Sequence, residues 1–366
     1  MGWASKSRMG KRELLGARIR GKTLEARTKI HCAMRLIPAL KYFFWIALVA
    51  MGGCTGNKSD KSKPETGNRK PETPTAVAPQ FNADSAYLYV QKQCDFGPRV
   101  PNTKSHDACA AYLTEKLKTF VPNVIVQKGV VTTYDRVKLN IQNIIGTFNP
   151  ESKNRILLFA HWDTRPWADQ DTVQPNKPFL AADDAGSGVA ILLEVARQLS
   201  MNKPNLGIDI AFFDAEDWGA KNSTAENEDS YALGTQYWAK NPHVENYTAG
   251  YGILLDMTGA RNATFMMEGN SMQSASSVVR KIWDIGNQAG YSSYFIYNEA
   301  GFITDDHVYV IRLRNIPSVD IINTRPDGRF APHWHTHHDN MDIIDRNTLK
   351  AVGQTLLEVI FRETGI

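Results

Sequence analysis

Acidic residues and histidines gather at a few places in this chain, and most of them follow directly on an apolar run. Arg155 to Ala160 (RILLFA) leads into His161-Trp162-Asp163, Ile208 to Phe213 (IDIAFF) into Asp214-Ala215-Glu216-Asp217, and Tyr251 to Leu255 (YGILL) into Asp256. Asp183-Asp184 stands just ahead of the stretch that opens at Gly186. A single carboxylate at a strand end is ordinarily a cap or turn former, because it satisfies nearby backbone N–H groups. Several such ends in one chain ask for another account. Adjacent carboxylates such as Glu216-Asp217 repel unless a cation or a shared proton lies between them, so the pair reads as a metal ligand beside a base.

Nitrogen donors come late, in Pro332-His333-Trp334-His335-Thr336-His337-His338-Asp339. Alternation would place His333, His335 and His337 on one face of an extended segment, where three imidazoles could hold zinc unaided. The plain alternative is that His333, His337 and His338 are surface polar residues. A third arrangement draws an Asp, a second acidic residue and a His from three separate loops and leaves a fourth metal position open. Oxygen and nitrogen donors without thiolate favour Zn2+ over a redox metal.

The elements that must carry these groups are legible in outline. Ala83 to Gln93 and Ser105 to Thr119 have apolar positions at helical spacing, broken by Gly97-Pro98. Asn123 to Thr133 and Leu139 to Phe148 read as a hairpin, and Arg155 to His161 as a strand buried on both faces. A helix over Gly186 to Leu199 and a strand over Ile208 to Phe213 follow, then a helix near Tyr231 to Lys240 and strands at Tyr251 to Met257 and Thr264 to Met267. A helix over Ser274 to Ala289, a strand at Ser318 to Ile322 and a helix from Arg346 to Phe361 close the chain. A hairpin followed by alternation implies an α/β fold, a single domain with a central mixed, mostly parallel β-sheet flanked by helices on both faces. In such sheets the chemistry gathers beyond the carboxyl ends of the strands, where these acidic groups fall.

Charge divides unevenly along the 366 residues: residues 1–80 carry 16 Lys and Arg against five Asp and Glu, a net +11, which leaves −7 for the rest of a chain whose total is +4. The acidic remainder has no phosphate-tracking stripe, which excludes nucleic acid as a partner. Four cysteines are too few for a disulfide scaffold. The run Tyr42 to Met51 is shorter than the roughly 20 residues a bilayer span needs and reads as the apolar region of a signal peptide; an uncleaved anchor is the other reading. It ends in Met51-Gly52-Gly53-Cys54, which resembles a bacterial lipoprotein signal with Cys54 as the lipidated residue. Residues 1–53 are then an over-long N-terminus plus signal peptide with Met34 as the start, 54–80 a flexible tether and 81–366 the catalytic domain. The expected location is the bacterial cell envelope, the domain lipid-anchored to the membrane and facing the periplasm, as a monomer. Cys94 and Cys109 then sit where a disulfide is permitted, with a free buried pair as the alternative.

FAHWD, LAADDAGSGVAILLEVARQL, IAFFDAEDWG, YALGTQYWA, LLDMTGARNATF, TDDH and HWHTHHDN, in this order, resemble the zinc-dependent glutaminyl-peptide cyclotransferases within the M28-type metallo-aminopeptidase family. The resemblance implies a zinc aminopeptidase-like α/β sandwich that cyclises the N-terminal glutamine of peptides or proteins to pyroglutamate with loss of ammonia. It implies one Zn2+ per chain on Asp184, Asp217 and His335, Glu216 as the acid/base group, Asp256 and Asp305 hydrogen-bonding around the reacting amide, and Trp334 walling the substrate pocket. Trp218 is the candidate for a second pocket tryptophan. Asp217 stands where the animal enzymes have Glu, and Asp320 where they have a His. Two other readings stay open: a two-zinc aminopeptidase, with His161 and Asp256 on a second metal and Asp184 bridging, and a non-catalytic tethered binding module.

Overall fold

The computed structural model describes residues 77–222, 224 and 227–363. Met34, the apolar run 42–51, Cys54 and the tether up to residue 76 lie outside the described residues. Residues 78–81, at the start of the described chain, already pack on the domain: Ala78 is buried, Pro79 accepts from the Gln354 amide at 3.2 Å and Phe81 donates its N–H to Gln354 at 2.8 Å. Gly353 leaves the space that the Phe81 ring fills; a Cβ there would lie 2.2 Å from the ring.

Two helices open the domain, α1 (Ala83–Cys94) capped by Asn82 and α2 (Lys104–Lys118) capped by Thr103, each cap oxygen accepting an N–H of the first turn. Then come β1 (Asn123–Thr132), β2 (Lys138–Phe148), β3 (Arg155–His161), α3 (Gly186–Met201), β4 (Gly207–Phe213), α4 (Leu233–Lys240), β5 (Tyr251–Asp256) and β6 (Phe265–Met267). The chain ends with α5 (Gly269–Gln288), β7 (Phe295–Glu299), α6 (Asp306–Arg314), β8 (Ser318–Ile322) and α7 (Arg346–Arg362). Six strands form one sheet in the order β1-β2-β4-β3-β5-β8; β1, β2 and β4 pair antiparallel and the β4-β3-β5-β8 stretch is parallel. β6 and β7 make a small separate parallel pair.

Alternate residues of the central strands serve two cores. Ile156, Leu158 and Ala160 of β3 pack with residues of α1, α2, α3, α5 and α7, while Leu157 and Phe159 pack on the opposite face with Trp238 of α4 and Val310 of α6. Helices therefore cover both faces, as a parallel sheet requires. α3 lies close on β5 because Gly188 has no side chain: a Cβ there would come 2.4 Å from the Leu255 carbonyl oxygen.

Three elements differ from expectation. α6 and β7 are additional, and α5 begins five residues earlier than Ser274, with Glu268 as its cap. The α6 sequence DHVYVIRLR has apolar groups around its circumference, so no amphipathic stripe announces it; β7, FIYNE, is only five residues long and its last three are exposed. Cys94 and Cys109 are both free and buried in the larger core, and burial pushes their thiols up to about 11 and about 12. Among the described residues no helix is long and apolar enough to cross a membrane.

Candidate active site and metal centre

Register brings the chemistry to one edge. His161 of β3 pairs with Phe213 of β4, the residue before Asp214, and Asp256 of β5 pairs with Ile322 of β8, so the carboxyl ends of the four parallel strands finish together. Above them lies a cavity of about 350 Å³ lined by Asp184, Glu216, Asp217, Asp256, Asp305 and His335 below and by Tyr231, Phe302, Ile303, Phe330 and Trp334 at the sides.

Asp184, Asp217 and His335 each offer a ligand atom within 4.8 Å of the others, and all three are buried. His335 Nε2 lies 3.4 Å from Asp217 Oδ1 and 3.6 Å from Asp184 Oδ2, while its Nδ1 lies 3.1 Å from Asp169 Oδ1. Arg165 bridges Asp169 and Asp217, reaching Asp169 through Nε at 2.9 Å and Asp217 Oδ1 through Nη1 at 3.1 Å. Asp184 is held from behind, its N–H donating to Asp339 Oδ2 at 3.1 Å beside that of Asp183 to Oδ1 at 2.7 Å. Asp163 accepts the N–H groups of both Glu216 (2.9 Å) and Asp217 (3.2 Å), so one carboxylate at the end of β3 fixes the pair that follows β4.

A second triad shares Asp184: His161 Nε2 is 3.1 Å from Asp184 Oδ1 and 3.5 Å from Asp256 Oδ1. Electrostatics in the cluster follow from burial and crowding. Burial, with Asp217 and Asp256 opposite, pushes Asp184 up to about 6. Against its burial, His335 and Arg165 draw Asp217 below the usual carboxylate range. His335 is desolvated yet held up at about 9 by Asp217 and Asp169, and His161 is held well above its ordinary value by Asp163, Asp184 and Asp256. These carboxylates draw positive charge onto both imidazoles, a demand that a divalent cation meets directly, and Asp217 Oδ2 has no other partner. The donor set is oxygen and nitrogen only, which fits Zn2+. Burial pushes Glu216 well above the usual carboxylate range, Asp305 and Asp217 adding to the effect and His161 opposing it.

The structure selects among the histidines. Residues 332–339 form successive turns, with His335 at φ +54°, rather than an extended segment with three imidazoles on one face. Only His335 reaches the cavity; His333 Nε2 pairs with Asp183 Oδ2 at 3.0 Å and His337 Nδ1 with Asp171 Oδ2 at 2.9 Å. Trp334 does line the cavity. Trp218 does not: its Nε1 donates to Asp135 at 3.3 Å and its ring meets Trp167 edge-on. Tyr231, Phe302 and Phe330 supply the aromatic wall instead. Asp214, also at a strand end, points away to His106 Nε2 at 2.9 Å and the N–H of Gln142 at 2.6 Å, as a structural acceptor. Asp169, Arg165 and Asp339 were not singled out from the sequence; the i, i+4 spacing of Arg165 and Asp169 was the one available signal.

The profile of peptidase family M28 matches residues 143–360. A Zn-dependent exopeptidase from Parabacteroides distasonis is 55% identical, with TM-score 0.77, over 78% of this chain and 100% of that one. Bacteroides thetaiotaomicron glutaminyl cyclase, solved with N-acetylhistamine bound, is 52% identical with TM-score 0.77 over 79% of this chain and 100% of that one. The glutaminyl-peptide cyclotransferase of Drosophila melanogaster is 28% identical over 278 residues, 69% of this chain and 73% of that protein.

Proposed function

The chain belongs to peptidase family M28, and from that premise we propose that it is a zinc-dependent glutaminyl-peptide cyclotransferase that converts N-terminal glutamine to pyroglutamate with release of ammonia. The observation that carries this reading is the cavity itself, a small chamber with the Asp184-Asp217-His335 triad and Glu216 on its floor and Trp334, Phe330 and Tyr231 at its sides. The likeness of the chain to glutaminyl cyclases supports the same reaction.

Asp184, Asp217 and His335 would hold one Zn2+, which supplies Lewis-acid polarisation of the side-chain amide carbonyl. The nucleophile belongs to the substrate, so the walls contribute by holding the glutamine curled with its α-amine against its own amide carbon. As the new C–N bond forms, Glu216 takes a proton from the attacking amine and returns it to the departing nitrogen, which leaves as ammonia. Its carboxyl, held above the usual carboxylate range by burial, suits a group that must both take and return a proton. Asp163 keeps Glu216 in place through the backbone, and Asp256 and Asp305 face the reacting amide. Trp334 and Phe330, in contact at 4.6 Å between ring centres, keep water from competing with the amine.

A two-zinc aminopeptidase is the second reading, favoured by the His161-Asp184-Asp256 triad. Glu216→Gln separates the roles of metal and base: it should retain zinc at the wild-type ratio of one per chain and lose at least about a thousandfold in kcat. Two zinc ions per wild-type chain, or a Glu216→Gln enzyme within tenfold of wild type, would overturn the assignment.

A further inference from the structure

The segment that follows β3 grips both loops from which the late metal ligands come. Arg165 and Asp169 pair through two parallel hydrogen bonds, Nε to Oδ1 at 2.9 Å and Nη2 to Oδ2 at 3.1 Å. Arg165 Nη1 also donates to the Asp217 carbonyl oxygen at 3.0 Å and to Asp217 Oδ1 at 3.1 Å, so backbone and side chain of that residue are held together while Oδ2 is left open. The guanidinium is fully buried and lies over the Trp167 and Tyr231 rings, 5.3 and 5.7 Å from their centres. Packing therefore fixes the cation as firmly as its charge partners do.

The next three residues take hold of the turn that carries His335. Asp169 Oδ1 lies 3.1 Å from His335 Nδ1, which has no other partner. Gln170 donates its N–H to the His335 carbonyl oxygen at 3.2 Å. Asp171 Oδ2 accepts the His337 N–H at 3.0 Å and lies 2.9 Å from His337 Nδ1, while its Oδ1 is anchored by the N–H groups of Val173 and Gln174 at 2.7 and 3.0 Å. His335 itself stands at φ +54°, a left-handed conformation that a residue with a side chain keeps only where its surroundings impose it.

One atom joins the two halves of this grip. Asp169 Oδ1 meets both Arg165 Nε, and through Arg165 the Asp217 carboxylate, and His335 Nδ1. An imidazole that gives its Nε2 lone pair to a metal carries its proton on Nδ1, and an acceptor placed there sets the tautomer and the ring orientation and makes Nε2 the better donor. Asp169 occupies that position, on the far side of the ring from the Nε2 that faces Asp184 and Asp217.

We propose that residues 165–171 are a clamp that sets the metal site before the metal arrives, with Asp169 as its pivot and a positioning residue for His335 and, through Arg165, for Asp217. The clamp rests on the reading of Asp184, Asp217 and His335 as the zinc ligands, and it is independent of whether the loaded chain cyclises glutamine or removes an amino acid.

The test reads metal binding rather than turnover. Wild type, Asp169→Ala and Asp169→Asn, all as full chains, are stripped of metal and titrated with zinc against a chelator of known affinity, with the metal-free thermal midpoint and the visible spectrum of the Co2+-loaded chain recorded beside. The clamp predicts that Asp169→Ala binds zinc about 10- to 100-fold more weakly and that its Co2+ absorption bands move, because the freed ring presents Nε2 at another angle. Asp169→Asn retains an oxygen that accepts from Nδ1 and should recover at least about threefold of the lost affinity; should Asp169→Ala not fold, Asp169→Asn decides alone, with zinc held about 3- to 30-fold more weakly than in wild type. A lowered metal-free midpoint with zinc affinity within about twofold of wild type would make the ion pair merely structural and overturn the clamp. Weaker binding with an unchanged Co2+ spectrum would reduce Asp169 to its charge and overturn the positioning role. A wild-type chain that binds no zinc overturns the ligand reading and the clamp together. Weakened, spectrally shifted binding in Asp169→Ala supports the clamp even where the wild type releases no ammonia from a peptide with N-terminal Gln, an outcome that would sink the cyclase reading alone.

Discussion

The two ends of the parallel sheet both bury charge, and they treat it in opposite ways. At the amino ends, Asp209 of β4 accepts from Arg155 Nε at 2.7 Å, from the Tyr247 hydroxyl at 2.8 Å and from Thr147 Oγ1 at 2.7 Å, so its carboxylate is compensated by donors. At the carboxyl ends, Asp217, Asp256, Asp305, Asp306 and Asp320 each keep a buried oxygen without a partner. A buried charge that is fully paired holds a fold in register; one left open can receive a cation, a proton or a substrate group. The difference separates the structural end of this molecule from its working end, although both draw on the same residue types.

The sharpest way to break this contrast is to damage each end once. Asp217→Asn should lose about a hundredfold or more in turnover, with zinc content falling alongside, while the fold persists. Asp209→Ala should leave Arg155 buried without its partner and cost about 3–5 kcal/mol of stability in denaturant melts, with kcat of the surviving enzyme unchanged. Equal loss of turnover from both variants would contradict the division.

A smaller effect, opposite in sign at the two ends, comes from pH. Asp209 is buried, but His243 and Arg155 hold its carboxyl below the ordinary value, so its contribution is present above about pH 4, the unfolded value, and is lost as pH falls below it. Burial pushes Asp306 and Asp339 up to about 7, so the folded state holds their protons more tightly than the unfolded chain does. Their contribution is complete below about pH 4 and is lost as pH rises through 7. The metal-free protein should therefore melt at a lower temperature at pH 8 than at pH 5.5, and added zinc should reduce that difference. A midpoint that rises steadily with pH in the metal-free chain would contradict the account of the carboxyl ends.

What could be read in advance follows the same division. β3, β4 and β5 are largely apolar runs that lead into acidic groups, so both the strands and Glu216, Asp217 and Asp256 stand out along the chain, and Asp184 stands out as half of an acidic pair just ahead of α3. His335 could be separated from His333 and His337 by resemblance alone, because the left-handed turn that aims it inward has no local signature in the sequence. Asp163, Asp169 and Glu268 act through partners up to 166 positions away, and no periodicity marks such pairings. Trp218 misled for a related reason: it adjoins Asp217 in sequence, yet its side chain turns toward Asp135, outside the cavity.

The central claim is most directly tested by mass spectrometry of a peptide beginning with Gln, incubated with the zinc-loaded chain beside a Leu-initiated control. The account predicts that the Gln peptide loses one ammonia and keeps its length while the control is untouched. Release of a free N-terminal amino acid from either peptide would contradict it and make His161 a ligand of a second metal.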